Sequence, residues 1–296
     1  MYDVIIIGGG PAGLTAAIYA RRAEKSVLVL TGGAAGGAAA LTPFIENFPS
    51  HLRIGGAELT DVIKTQAVNF GAEFRDETVT DVCLRGGEKT ATTAEDCYVA
   101  RNIIIATGTK IRDLGVPNEE KLVGKGVSYC AVCDGNFFRR RAVCVVGGGN
   151  TALTDALYLA GLCSKVYLIH RRNEFRASPA LVSEVLTKPN VEVVYNSKIT
   201  TLVGIERLEG VTVQNVETGA EQSIEVKGLF VAVGSVPNSE LFKSVETTNG
   251  GAIITNSQMQ TNIPGIFAIG DVRDTPLRQI ITACADGAVA ATFLLK

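Results

Sequence analysis

The chain has 296 residues, a formal net charge of −2 and 46% hydrophobic residues, enough for two ordinary domains, each with a core. Its 28 basic and 30 acidic residues are dispersed, which argues against a nucleic-acid surface; the one dense run, "RRRAV", reads as a solvated turn. No apolar stretch approaches the roughly 20 residues that span a bilayer, and the first residues run into a strand rather than a signal peptide, so a cytoplasmic protein without a membrane partner is expected.

The first predicted unit is "YDVIIIGGGPAGLTAAIYA", an apolar strand, a glycine cluster and an amphipathic helix, followed by the strand "SVLVL". Gly8, Gly10 and Gly13 form G-x-G-x-x-G, whose glycines permit a tight turn, close approach to a pyrophosphate and helix-on-strand packing. The second strand ends on Thr31, where an acidic residue would ordinarily meet a ribose. Next, "IIIATGT" closes a strand on Gly108, and a crossing into another domain is expected near residue 112.

Cys130 and Cys133 follow, in "SYCAVCDG". Such a pair is half a zinc site, a redox dithiol or a coincidence. Zinc needs four ligands and no second pair or Cys/His cluster completes the set, so no metal is expected. A redox dithiol facing a flavin is the economical reading. The other five of the seven cysteines stand singly in apolar surroundings and read as buried free thiols. Only His51 and His170 exist, one in a loop and one beside the second nucleotide motif, so Asp134 is the available carboxylate for proton transfer; a helix N-cap is its other reading.

"AVCVVGGGNTALTDALYLA" then repeats the strand, glycine turn and helix, with Gly147, Gly149 and Ala152, and is followed by the strand "KVYLI". Two matches, each in the required context, point to two dinucleotides. After the second strand come Arg171, Arg172 and Arg176, with no acid where a free ribose hydroxyl would want one. Arginine forks suit a 2′-phosphate, so NADPH is expected in preference to NADH. "LFVAVGSVPN" closes on Gly234, and a second crossing is expected near residue 246, with Gly115, Gly250 and Gly251 as hinge glycines. Finally "GIFAIGDVRD" sets Gly270 and Asp271 at a strand end, with a helix expected to begin near Pro276. Together these suggest a cradle for a ribityl chain and flavin ring, FAD. The fold class is therefore α/β: two Rossmann-like dinucleotide-binding domains, with the NADPH domain (113–245, carrying the cysteine pair) inserted into a discontinuous FAD domain (1–112 and 246–296).

"GGGPAG", "ENFP", "ATG", "CAVCDG", "GGGNTA", "HRRNEFRA", "VGSVPN" and "GDVRDTPLRQ" together resemble the low-molecular-weight flavoprotein thioredoxin reductases along essentially the whole chain. The resemblance implies a homodimer with bound FAD. It further implies that electrons pass from NADPH through the flavin and Cys130–Cys133 to the disulfide of a thioredoxin or thioredoxin-like protein, with Cys133 facing the flavin and Cys130 attacking the partner. Carried over by position, FAD contacts are Gly8, Gly10, Pro11, Ala12, Gly13, Asn47, Ala106, Gly270, Asp271, Arg278 and Gln279. NADPH contacts are Gly147, Gly149, Asn150, Thr151, Arg171, Arg172 and Arg176. The chain departs from the family pattern at Ala38 (usually Gln), Asn150-Thr151 (usually Asp-Ser), Thr154-Asp155 (usually Glu-Glu) and Ser235 (often His). Two other readings are a related reductase fed by ferredoxin or a deazaflavin, against which "HRRNEFR" speaks, and a flavin-bound regulatory protein without turnover, against which "CAVCDG" speaks.

Overall fold

The computed structural model describes residues 1–42, 45–84 and 87–294. The chain forms two compact units, Met1–Lys110 with Val236–Lys296, and Ile111–Ser235.

The first unit opens with β1 (Tyr2–Ile7), buried without alternation from Val4 onward, the pattern of a strand covered on both faces. Helix α1 (Pro11–Arg22) starts on a proline whose fixed φ suits the first turn and ends on Arg21 and Arg22, favourable at the negative end of the helix. It returns the chain to β2 (Val27–Leu30), parallel to β1 with Val4 opposite Val27. Short α2 (Gly37–Ala40) and longer α3 (Gly56–Asn69) precede β3 (Glu73–Arg75), parallel to β2; β4 (Asp81–Cys83), β5 (Lys89–Thr92) and β6 (Cys97–Ile105) follow. Strand β6 pairs antiparallel with β5 near Cys97 and parallel with β1 along its length, and β7 (Thr109–Ile111) leads out.

The second unit holds α4 (Glu119–Leu122), β8 (Val127–Ser128), α5 (Ala131–Asp134), β9 (Ala142–Val146), α6 (Asn150–Ala160), β10 (Lys165–Ile169), α7 (Pro179–Leu186) and β11 (Val191–Val194). An antiparallel sheet follows from β12 (Ser197–Val203), β13 (Gly210–Asn215) and β14 (Glu221–Glu225), then β15 (Gly228–Val231). The parallel sheet runs β11-β10-β9-β15-β8. Both core clusters of this unit, one around Leu122, Leu202 and Leu229 and one around Leu153, Leu168 and Phe230, draw on its own residues.

The chain returns through β16 (Ser235–Pro237), which pairs with β7. Within the first unit Asn238 Nδ2 donates to Thr107 O at 2.8 Å and Thr107 Oγ1 to Asn238 O at 2.7 Å. The second unit boundary thus falls between Ser235 and Val236 rather than near 246, because Phe242 and Val245 are buried in the first unit's core with Ile5, Ile7 and Ile253. Gly250 and Gly251 accordingly lie inside the first unit, where Ser239 Oγ donates to Gly251 O at 2.6 Å. Strand β17 (Ile266–Ala268) completes the first sheet beside Ile103–Ile105 of β6, giving the order β3-β2-β1-β6-β5-β4 with β17 on β6. Helix α8 (Ile280–Phe293) begins after Gln279, later than Pro276, because Gln279 and Thr282 form a reciprocal capping box. It lies so close to α1 that a Cβ on Gly287 would run into Ala12 O.

Among the described residues no helix is long and apolar enough to cross a membrane. Of the cysteines expected to be buried, Cys144 and Cys163 are, and burial raises both thiols, Cys163 to about 11. Cys284 is half-buried. Cys83 and Cys97 are instead exposed, because Cys83 ends a strand at the sheet edge and Cys97 opens β6.

Candidate functional site

The first glycine turn is built by exclusion. Gly8 has φ +118°, and a Cβ there would strike the Ala106 carbonyl, while Ala106 N–H ties the end of β6 to Ile7 O at 2.8 Å. A Cβ on Gly13 would strike Gly8 O, so α1 stands directly on the turn. A Cβ on Gly10, by contrast, would meet nothing within 4 Å, and this residue precedes α1 with no side chain capping the helix. That leaves open backbone and unpaired N–H groups at the positive end of a helix, the chemistry that receives a pyrophosphate. Gly270, φ +69°, packs beside Ala12, and its N–H donates to Asp286 Oδ2 at 3.0 Å. Asp271 is half-buried and makes no hydrogen bond among the described residues; burial raises its carboxyl, and Arg278 counteracts the rise. Asn47 Nδ2 donates to Gln279 Oε1 at 3.0 Å. Of the residues expected at FAD, all in the first unit, Gly8, Gly13 and Ala106 meet at the turn, Gly270 lies against Ala12, Asn47 bonds Gln279, and Arg278 acts on Asp271 through its charge. Open space at Gly10 and an Asp271 carboxylate without a hydrogen bond among the described residues fit such a ligand.

Two acids here were not singled out from the sequence. Asp286 binds Gly270 N–H and pairs with Arg273 at 3.4 Å, both side chains 13% exposed, and so fixes the turn before α8. Asp76, just beyond β3, accepts Gly33 N–H at 2.6 Å and Thr31 Oγ1 at 3.3 Å. The neighbouring strand end thus places a carboxylate beside Thr31, where β2 itself has none; the "DE" that follows β3 was its sequence signal.

The second turn repeats the construction. A Cβ on Gly147 would meet the Ala232 carbonyl, whereas Gly149 faces open space ahead of α6, again without a side-chain cap. Asn150 and Thr151 are exposed on the first turn of α6; Asn150 Oδ1 accepts Ser178 N–H at 2.8 Å and Arg176 N–H donates to Gly148 O at 2.7 Å, which folds the 171–178 loop over the turn. Arg171, Arg172 and Arg176 are exposed and form no salt bridge among the described residues. Unneutralised cations beside an open glycine turn fit a phosphorylated ligand. His170 supports the loop from within: it is 5% exposed, its Nε2 lies 2.9 Å from Glu174 O, its ring stacks on Phe175, and Gly148 has no room for a Cβ beside it. Burial lowers its pKa, with Arg172 and Arg176 adding to the effect.

The dithiol lies on the same unit. Cys130 and Cys133 are disulfide-bonded across α5, with Cα atoms 5.3 Å apart. Cys130 is itself the N-cap of α5, its sulfur accepting Cys133 N–H at 3.2 Å. An N–H donor at this sulfur would favour a thiolate on Cys130 once the pair is reduced. Asp134 caps nothing, and the N-cap reading of this residue is not realised. Its carboxylate receives the Ser128 hydroxyl at 2.6 Å; burial raises its pKa against that hydrogen bond. Buried Glu119, also missed from sequence, accepts Leu114 N–H, Gly115 N–H and Tyr129 Oη, each at 3.0 Å, and so ties the segment after the first crossing to the residue before Cys130.

A family model described as pyridine nucleotide-disulphide oxidoreductase matches residues 2–287. The chain is 42% identical to a thioredoxin reductase of Listeria monocytogenes over 98% of its length and 92% of the relative's. It is 41% identical to the bifunctional thioredoxin reductase/thioredoxin of Mycobacterium leprae, covering 98% of this chain and 64% of that one. The crystal structure of a thioredoxin reductase from Streptococcus pyogenes superposes with a TM-score of 0.95 at 42% identity, over 100% of this chain and 97% of that one. With two glycine turns on parallel sheets and a Cys-x-x-Cys disulfide beside the second, the chain belongs to the pyridine nucleotide-disulphide oxidoreductases, and among them to the low-molecular-weight thioredoxin reductases.

Proposed function

We propose that the protein is an NADPH-dependent thioredoxin-disulfide reductase, in which electrons from NADPH reach the disulfide of a thioredoxin or thioredoxin-like protein through FAD and the Cys130–Cys133 pair. The observation that carries this reading is the disulfide loop itself, with Asp134 behind it, on the unit where Arg171, Arg172 and Arg176 form no salt bridge among the described residues. The first unit holds FAD through the turn at Gly8–Gly13 with Asn47, Ala106, Asp271, Arg278 and Gln279. The second holds NADPH through Gly147, Gly149, Asn150 and Thr151, with Arg171, Arg172 and Arg176 on the 2′-phosphate. When bound, the flavin supplies the two-electron chemistry that links a reduced nicotinamide to a disulfide. Cys130 attacks the partner, Cys133 resolves the mixed disulfide, and Asp134 moves the protons. The relative joined to a thioredoxin supports that class of partner. A homodimer, as the resemblance to the family implies, and a cytoplasmic location, as expected from the sequence, complete the reading.

The test is anaerobic titration of the flavin-loaded protein with NADPH, NADH and reduced ferredoxin, following loss of flavin colour, and then addition of oxidised thioredoxin. NADPH should bleach the flavin at far lower concentration than NADH, and thioredoxin should restore the colour. Bleaching by ferredoxin alone would transfer the reading to another donor, and no bleaching by any of them would leave a flavin-binding protein without turnover.

A further inference from the structure

Ser128 ends β8, opposite Phe230 of β15, and is 5% exposed. Its hydroxyl has three polar neighbours: Asp134 Oδ2 at 2.6 Å, Cys130 N–H at 3.1 Å and Cys130 O at 3.3 Å. A serine hydroxyl owns one proton and two acceptor lone pairs. With Asp134 ionised, that proton goes to the carboxylate and one lone pair receives Cys130 N–H. With Asp134 protonated, the acid O–H donates to the second lone pair and the serine proton turns to Cys130 O. Each charge state of Asp134 therefore finds a fully partnered arrangement without movement of a heavy atom.

We propose that Ser128 is a positioning residue of the exchange reaction, a hydroxyl rotor that holds Asp134 in one place in both protonation states and couples its proton to the backbone of Cys130. This rests on the reading above that the pair exchanges with a partner disulfide. In that reaction the Cys130 thiolate attacks one partner sulfur, the partner S–S bond breaks, and the departing thiolate takes the proton of Asp134. Asp134 then accepts the Cys133 thiol proton as Cys133 attacks Cys130 Sγ. The Cys130–Cys133 bond forms, the mixed disulfide breaks, and the second partner thiolate leaves with that proton. Two electrons and two protons have passed to the partner, and the enzyme dithiol has become a disulfide. Asp134 acts as acid, base and acid in turn, so a support that served only one charge state would fail at alternate steps. Burial favours its protonated form and the serine donor opposes this.

The test uses NADPH-reduced, flavin-loaded enzyme mixed with oxidised thioredoxin in single turnovers from pH 5 to 9. Ser128→Ala removes the donor to the carboxylate, so the limb of the profile that belongs to Asp134 should move to higher pH by on the order of one unit. Ser128→Thr should restore the parent profile. In Asp134→Asn the limb should be absent, and adding Ser128→Ala to it should produce no shift. A Ser128→Ala enzyme slowed equally at every pH, or shifted equally in the Asp134→Asn background, would overturn the proposal. Carbon-13 titration of the Asp134 carboxyl, assigned by Asp134→Asn, reads the same shift without any partner; an unmoved titration in both Ser128→Ala and Ser128→Gly refutes the rotor. If the parent enzyme ignores thioredoxin while this titration moves, the proposed function fails and the rotor stands.

Discussion

Arg176 illustrates how a single side chain separates scaffold from ligand. Its backbone N–H holds Gly148 O, while the residue is exposed and its guanidinium forms no salt bridge among the described residues. Arg176→Ala keeps the former and removes the latter, so NADPH affinity should fall by about ten- to a hundredfold, the worth of a charge-assisted contact of about 1.5–3 kcal/mol, with NADH affinity almost unchanged; equal losses would remove the 2′-phosphate from this loop. Asp155 works in the opposite sense. It sits on α6, whose Ala152, Leu153, Ala156 and Leu159 are buried; its side chain has no hydrogen bond among the described residues, and burial raises its carboxyl to about 6. A carboxyl raised in the folded state costs nothing below its unfolded value of 3.8, costs progressively more from there to about 6, and the full amount above. Asp155→Asn should therefore stabilise the protein at pH 7.5, by about 1–2 kcal/mol after allowance for partial exposure, and hardly at all at pH 4. Urea unfolding followed by circular dichroism at the two pH values measures the difference; an equal gain at both would mean that charge is not the cause. Residues of this kind are where the sequence is least legible. The glycines and arginines announce themselves by spacing, whereas Ser128, Asp76 and Glu119 act through partners that only folding selects. Even Asp134, singled out as the carboxylate beside the pair, turns its side chain to Ser128 rather than capping a helix.

At the scale of elements, the packing of α8 on α1 joins two ends of the first unit through a contact that a single methyl group would spoil. Gly287→Ala places its Cβ against Ala12 O and Ala16 N, backbone atoms of a helix that cannot yield easily. We expect a loss of ~1–3 kcal/mol and weaker flavin retention, since Ala12 belongs to the glycine turn. Gly250→Ala, exposed and with only Thr248 Oγ1 near, should melt like the parent protein. Both strand, glycine turn and helix modules were readable because apolar runs, glycine spacing and helix periodicity agree over some twenty residues. The start of α8 was not, because Pro276 is a general signal for a first helical turn whereas the Gln279–Thr282 capping box is a specific one, and the specific one prevails. The second crossing, expected near 246 beside Gly250 and Gly251, was misplaced because glycines mark a turn as readily as a hinge, and Phe242 and Val245 ahead of them are core.

For the molecule as a whole, the two units differ in how their cores are assembled. Each core cluster of Ile111–Ser235 is drawn from that stretch, so the isolated segment should fold and unfold cooperatively and bind NADP+. Residues 1–110 alone lack β17, α8 and the Phe242–Val245–Ile253 group, and should remain without fixed tertiary structure. Nuclear magnetic resonance of the two fragments decides; a dispersed spectrum from 1–110 would show that the late segment is dispensable. This discontinuity sets an order of events on the ribosome. The inserted unit is complete once residue 235 has emerged, while β6 still waits for β17 and α1 for α8. The apolar edge of β6 and the inward face of α1 therefore stay uncovered through the synthesis of more than half the chain, and they are the surfaces on which a nascent-chain chaperone, or an aggregating neighbour, would act.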